Sequence, residues 1–324
     1  MAFTGFEYAF RGARRQERVV RDLASPEDLF SIPCGKCELC LVTRRYERAL
    51  RIMCEVEFWP HGTHFITLTF DEEHVGDGKL DHKEWSQFMK DFRQRFTQVK
   101  YCKLNRSNRR KQGKESSLTW KELRQVMCGE YGGMFGRKHF HGIIFNHTFD
   151  DLEFTGEYSD LGHKIFTSAS LRDVWKKGRV QVAPMTFDLA LYVGKYVTDS
   201  MDDPDSGQYG RFGHYIGLSW LKKYWKSMLA RGMVMLRVDG EIRSFQIPRY
   251  FFEKLEKDIC PEYFVKWRDA KRVELLEKRR MLVEKGDGPL RRARAKGRIF
   301  NHISKKRRDD ESGKGSVKKI ERQF

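Results

Sequence analysis

No stretch of the 324-residue chain approaches the roughly 18 consecutive apolar positions that a membrane-spanning helix needs. The opening residues, Met1-Ala-Phe-Thr-Gly-Phe-Glu7, carry an acid and run into Arg-rich sequence, with no apolar segment ahead of a small-residue cleavage site. The reading is therefore of a protein that stays in the compartment where it is made, with no membrane partner. Cysteine is scarce and unevenly placed: of seven in the chain, three crowd into Cys34-Gly-Lys-Cys37-Glu-Leu-Cys40. That spacing excludes an evenly distributed disulfide framework and points to a reducing interior. A phosphate-binding Gly-x4-Gly-Lys-[Ser/Thr] loop is also missing, which excludes a recognisable ATPase motor.

What the chain does have is positive charge. Lys and Arg number 63 against 45 Asp and Glu, a net of +18. Such an excess suits a polyanionic partner, nucleic acid or an acidic membrane surface, and charge alone does not separate the two. Much of it lies late: residues 265–324 hold 21 Lys/Arg against 9 Asp/Glu. Hydrophobic residues make up 40% and aromatics 13%, enough for a sizeable core.

Patterning divides the chain into four parts. Residues 1–44 form a basic arm that includes the cysteine cluster, and residues 45–200 form the main domain. A helical or docking segment covers 201–264, and a basic, partly disordered tail covers 265–324. Within the main domain Arg44 to Phe58 reads as a helix and Thr63 to Phe70 as a buried β-branched strand. Leu80 to Gln98 reads as a helix behind an Asp81 cap, with Trp85, Phe88, Met89, Phe92 and Phe96 at helical spacing. Residues 103–122 form a solvated linker. Strands follow over Arg124–Tyr131 and Lys138–Asn146, then a helix over Leu171–Lys177, a strand over Arg179–Val182 and a helix over Thr186–Ser200. This order predicts an α+β fold, a central antiparallel sheet flanked by helices, with a basic C-terminal extension.

Chemistry concentrates in two places. In Lys138-His139-Phe140-His141-Gly142 strand alternation sends His139 and His141 to one face, close enough to share an ion. A lone His-x-His recurs by chance, but Glu130 precedes His139 by nine residues, on the neighbouring strand of a short hairpin. Two imidazoles and a carboxylate with open positions suit catalytic Mg2+ or Mn2+. The second place is Tyr192-Val-Gly-Lys195-Tyr196. At 100° per residue Phe187, Ala190, Leu191, Gly194 and Val197 supply an apolar stripe, which leaves Tyr192, Lys195, Tyr196 and Asp199 on the opposite face. A phenol needs help to act as a nucleophile at neutral pH. A metal on the scissile phosphate supplies electrophilic activation, and Lys195 can stabilise a phenolate or hold a phosphate.

Thr67-Leu-Thr69, Glu130 with His139-Phe-His141, and Tyr192-Val-Gly-Lys-Tyr196 together resemble the three ordered motifs of the HUH endonucleases that initiate rolling-circle replication. The paired tyrosines resemble those of microvirus initiators. Pro33-Cys-Gly-Lys-Cys37-x-x-Cys40, Cys128-Gly-Glu-Tyr-Gly132 and Ile247-Pro-Arg-Tyr250 resemble the gokushovirus branch. The resemblance covers about residues 30 to 255. It implies nicking and rejoining of single-stranded or supercoiled phage DNA, a 5′-phosphotyrosine, and a free 3′-hydroxyl that primes the host polymerase. A host helicase would do the unwinding, in the cytoplasm of the bacterial host. Arg137-Lys138 departs from the proline often found ahead of the His pair. For the cysteine cluster two readings stand side by side: a structural Zn2+ on Cys34, Cys37 and Cys40, with Cys54, His61 or His64 as fourth ligand, or free thiols. The rival functions are a non-catalytic zinc and nucleic-acid-binding protein, and a transposase or plasmid initiator of the same chemistry.

Overall fold

The computed structural model describes residues 38–59, 62–96, 123–132, 136–159, 162–202, 207–213, 215–238 and 240–284. Cys34, Cys37 and His61, the 103–122 linker, most of the N-terminal arm and residues 285–324 of the basic tail lie outside them. The chain divides into two units, Arg44–Leu255 and Met1–Thr43 with Glu256–Phe324. Of the second unit the described part is chiefly a helix, Pro261–Glu284.

In the larger unit the chain runs α1 (Glu38–Phe58, which begins just ahead of it), β1 (Thr63–Thr69), α2 (His82–Phe96), β2 (Gln125–Tyr131), β3 (Lys138–Phe145), β4 (Leu152–Tyr158), β5 (Lys164–Ser168) and α3 (Ala169–Trp175). It continues through β6 (Val180–Pro184), α4 (Phe187–Asp202), β7 (Tyr209–Phe212), α5 (Leu218–Arg231), β8 (Val234–Val238), β9 (Glu241–Phe245) and α6 (Arg249–Lys254). Seven strands form one sheet in the order β4-β5-β6-β1-β3-β2-β7, and β8 and β9 pair separately. Every neighbouring pair is antiparallel. The α+β architecture expected from the sequence is therefore the one found. The strands β4, β5, β7, β8 and β9 are additions to that expectation.

Alternation gives the sheet two unlike faces. Ile66, Leu68, Phe140, Ile144, Val180 and Val182 point to one face. There they pack with Trp85, Phe88, Met89 and Phe92 of α2 and with Leu171 and Trp175 of α3 into a single buried cluster. Gly142 sits on the same face because a side chain has no room: an added Cβ would lie 2.3 Å from Cη2 of Trp85. The indole fills that slot, and its Nε1 donates to Gln125 Oε1 at 2.9 Å.

Lys138, the residue just ahead of the His pair, is also buried on this face. Its ammonium reaches the Lys79 carbonyl (3.1 Å) and Glu84 (3.4 Å), and it lies 4.2 Å from the centre of the Phe70 ring. A buried ammonium is tolerable only with such partners. Lys138 thereby ties the first residue of β3 to the start of α2.

The other face carries Phe65, Thr67, Thr69, Cys128, Glu130, His139 and His141, as the register Thr67↔His141, Cys128↔His141 and Glu130↔His139 requires. Helix α4 lies over it, and α1 braces α4 from behind. Gly194 permits the close approach, since a Cβ there would stand 2.9 Å from the Arg45 carbonyl oxygen. Arg45 donates twice to Asp199 Oδ1 (3.1 and 2.6 Å), and Arg48 donates to Thr198 Oγ1 at 2.5 Å.

Candidate active site

The β2–β3 hairpin builds the site. Glu130 stands directly opposite His139 in the register, and His141 lies two residues further along the same face. Their ligand atoms converge: His139 Nε2 is 2.8 Å and His141 Nε2 2.9 Å from the same carboxylate oxygen, Glu130 Oε1. Among the described residues this is the one group of three or more His, Cys, Asp or Glu whose ligand atoms lie within 4.8 Å of one another.

The far sides of both rings are already engaged. His139 Nδ1 faces the Arg137 carbonyl at 3.1 Å and donates to it, which leaves Nε2 as the ring atom turned to the cluster. His141 Nδ1 pairs with Thr67 Oγ1 at 2.9 Å, and its ring stacks on Phe65 with centroids 5.3 Å apart. Burial pulls the His141 imidazole below its ordinary pKa, against the opposing pull of Glu130.

This donor set fits a divalent cation. A lone pair beside a carboxylate oxygen is repulsive unless positive charge lies between them. Ligands about 2.1 Å from one ion in octahedral geometry stand about 3 Å apart, close to the spacing found here. Glu130 Oε2 is buried with no hydrogen-bond partner, a cost that a cation would offset. The carboxyl itself is pushed up by burial, but the bonds to His139 and His141, the charge of His141 and the Tyr192 hydroxyl outweigh that and hold it ionised.

Tyr192 reaches this cluster from α4. Its hydroxyl donates to Glu130 Oε1 at 2.5 Å and lies 3.3 Å from His141 Nε2. The ring is held edge-on to Phe65 and His141, at centroid distances of 6.3 and 5.3 Å. Burial first, then the Glu130 charge and the hydrogen bond to it, hold the phenol far above its ordinary pKa. Tyr196 lies one turn on, ring to ring with Tyr192 at 4.7 Å, and is pushed up to about 12 by burial and then by Glu130.

Lys195 stands apart from the metal cluster. It is exposed, with its ammonium 5.6 Å from the centre of the Tyr196 ring. The buried stripe of α4 is Leu189, Ala190, Val193, Gly194 and Val197. Val193 and Leu189 take the places expected of Leu191 and Phe187, which are half-buried. Asp199, grouped in the sequence with the tyrosines, is committed to Arg45 instead.

Of the cysteine cluster only Cys40 is described, a half-buried thiol in α1. Cys54 is fully buried in the same helix, and burial pushes its thiol well above the usual range. His64 Nδ1 is engaged with the His147 carbonyl at 3.2 Å. Sequence reasoning missed the supporting groups: Thr67 and the Arg137 carbonyl behind the two imidazoles, and the Arg45–Asp199 pair behind α4. Thr67 stood inside a recognised motif, but its role depends on the β1–β3 register.

Residues 63–201, the span that holds every one of these groups except Arg45, match a family described as Replication-associated protein ORF2. Over about three quarters of its length the chain is similar to curated phage proteins. It is 29% identical over 262 residues to "Replication-associated protein VP4" of Bdellovibrio phage phiMH2K, covering 79% of this chain and 75% of that protein. It is 25% identical over 259 residues to "Replication-associated protein ORF2" of Spiroplasma virus 4, covering 76% and 75%. It is 28% identical over 263 residues to "Replication-associated protein ORF4" of Chlamydia phage 1, covering 76% and 59%. No solved structure matches. The resemblance to gokushovirus-like replication initiators, drawn first from short motifs, therefore holds over about three quarters of the chain.

Proposed function

We propose that this chain, a relative of microvirus replication-associated proteins, nicks and rejoins single-stranded DNA at a phage origin through a tyrosine–phosphate intermediate and so starts rolling-circle replication. The observation that carries the reading is the Tyr192 hydroxyl, 2.5 Å from Glu130 Oε1 and 3.3 Å from His141 Nε2, a nucleophile in contact with a two-imidazole, one-carboxylate cluster. Glu130, His139 and His141 would hold Mg2+ or Mn2+. That ion would supply positive charge to the non-bridging oxygens of the scissile phosphate and render its phosphorus electrophilic.

The residues of the chain do the rest. Glu130 Oε1 holds the Tyr192 hydroxyl in place, and Phe65 and α4 fix its ring. The phenol oxygen bonds to phosphorus as the bond to the 3′ oxygen breaks. The phenol loses its proton, the departing 3′ oxygen gains one, and the 5′ phosphate stays on the tyrosine. Reversal by that 3′-hydroxyl, or by another, rejoins the strand. Tyr192 makes the first cut, because it is the tyrosine whose hydroxyl meets both Glu130 and His141. Tyr196, one helical turn away, is placed to serve the second transfer, with Lys195 at the open edge of its ring. The 3′-hydroxyl left by the cut is a primer for the host polymerase, and unwinding falls to a host helicase, in the host cytoplasm. Among the described residues no helix is long and apolar enough to cross a membrane.

The test is incubation with circular single-stranded DNA and Mn2+, followed by denaturing electrophoresis for a covalent protein–DNA adduct. The wild type should form it, Tyr192→Phe should lose most of it, and Tyr192→Phe with Tyr196→Phe should lose all of it. An adduct in the double variant would assign the nucleophile elsewhere.

A further inference from the structure

Helix α5 is distinctive in its charge. It contains Lys222, Lys223, Lys226 and Arg231 and no acid, in a chain that holds 45 Asp and Glu. Its buried side, Leu218, Trp220, Leu221, Met228 and Leu229, seats it on the body. Trp220 anchors that side by stacking on Phe251, and Tyr224 packs against the same indole at 5.1 Å.

At 100° per residue, Ser219, Lys222, Lys223, Lys226, Ser227 and Ala230 fall on the opposite side. The three lysines, Ser227 and Ala230 are exposed, and Ser219 is half-buried. The face thus presents ammonium groups separated only by small or hydroxyl-bearing residues. Two of the lysines lie along half-buried rings, Lys223 at 5.0 Å from the Tyr224 centroid and Lys226 at 5.5 Å from the Trp225 centroid. The aliphatic stems are held against the helix with the ammonium groups outward. No salt bridge to any of these lysines is present among the described residues.

The bland alternative is a solvated lysine face. Ordinary solvated helix faces mix the two signs, since acids at i±4 stabilise the helix and lower self-repulsion. The helix Pro261–Glu284 does so, with Glu274 bonded to both Lys271 and Lys278. α5 forgoes that stabilisation, which leaves its charge free for an external anion.

We propose that this face of α5 binds the phosphate backbone of duplex DNA, independently of sequence, and is a second DNA contact outside the span matched by the replication family. Duplex is the favoured form because the face has no exposed aromatic ring on which unpaired bases could stack, whereas lysines and serines are backbone-contacting residues. The proposal deepens the nicking reading, which needs DNA as its partner, by naming where the DNA is held.

The experiment measures affinity for a labelled 30-base-pair duplex across a salt series in EDTA, where no metal-dependent cleavage occurs. The full chain is compared with Lys222→Gln/Lys223→Gln/Lys226→Gln. A control triple at exposed sites elsewhere, Lys83→Gln/Lys90→Gln/Lys164→Gln, removes the same charge. Each duplex phosphate contact contributes about 0.9 to the slope of log affinity against log salt, so the α5 variant should flatten it by two to about three units. The control should move it by less than about 0.9, the contribution of one lost contact.

An unchanged slope in the α5 variant, or equal flattening in the control, would overturn the proposal. A change confined to a single strand of the same sequence would overturn the duplex assignment. Replacement of all three lysines by Arg should restore the slope, which separates lost charge from lost folding. Cleavage of a short single-stranded oligonucleotide is a separate assay. If it fails in the wild type while the slope behaves as expected, the nicking reading is at fault and the α5 surface is not.

Discussion

The two faces of the seven-stranded sheet are made by the same strands and obey opposite rules. On one, Phe140, Ile144, Leu68 and Ile66 close against α2 and α3 into an aromatic-rich core. The polar groups that intrude there, Trp85 Nε1 and Lys138 Nζ, have partners. On the other, one residue along in the strands, Glu130, His139 and His141 crowd into hydrogen-bond distance with Tyr192 of α4, and one buried carboxylate oxygen is left unpartnered. Burial without full satisfaction is costly, and a fold keeps it where function needs it. The packed face backs the strands that hold the two imidazoles against Glu130, and under the proposed function it would supply the preorganisation that electrostatic catalysis requires.

The sharpest way to break the comparison is to empty the polar face. His139→Ala with His141→Ala should abolish adduct formation at any practical Mn2+ concentration, as should EDTA on the wild type. Isothermal titration with Mn2+ should show binding lost in the variant. Thermal stability should stay close to that of the wild type or rise slightly, because two crowded groups have gone. Full activity of the double variant in EDTA would end the metal reading.

The complementary experiment weakens the packed face. Phe140 is fully buried against Phe70, Trp85 and Trp175. Phe140→Ala should cost about 3–5 kcal/mol in urea unfolding. Its two neighbours in sequence are His139 and His141, the proposed metal ligands, so this change tests whether the faces are separable. The folded fraction should still bind Mn2+, with an affinity reduced far less than in the double-His variant. Gly142→Ala is a gentler push from the same side. The new methyl meets a fully buried indole, and about 1–3 kcal/mol of destabilisation is expected.

The faces also differ in how far they could be read from the sequence. The His139/His141 pair and its alternation with Phe140 and Ile144 follow from period-2 geometry within eight residues, and the Glu130 pairing from a short hairpin. α2 was legible because four of its aromatic and sulfur-bearing residues recur at helical spacing and are all buried. β4 escaped although Leu152, Phe154 and Tyr158 alternate with Glu153, Thr155 and Glu157: Gly156 interrupts the apolar series, and nearly every residue of the strand is exposed rather than set against a core. β7 escaped because four residues are too few for a pattern. The Arg45–Asp199 brace joins residues 154 positions apart, and only the assembled fold brings them together. Local periodicity reveals ligands; it does not reveal what holds them.

The smallest effect expected is also the most discriminating. Thr67 lies in β1 between Ile66 and Leu68, both fully buried on the packed face, and its own hydroxyl is 2.9 Å from His141 Nδ1 on the other. Thr67→Val keeps the shape and the β-branching, so the strand and the core behind it should be undisturbed. What goes is the hydroxyl bonded to the far side of a ring that, under the proposed function, ligates the metal. Loss of such an outer partner typically costs 10- to 100-fold in metal affinity or activity. Phe65 still stacks on the ring, so the lower end, about 10-fold weaker Mn2+ binding, is expected here. The urea midpoint should move by no more than the equivalent of about 1 kcal/mol, the net worth of one hydrogen bond. Thr67→Ser, which keeps the hydroxyl, should restore most of the affinity. If serine were damaging and valine harmless, apolar packing of the Thr67 methyl rather than the hydrogen bond would be what orients His141, and the polar face would owe its geometry to the same kind of apolar contact that builds the other.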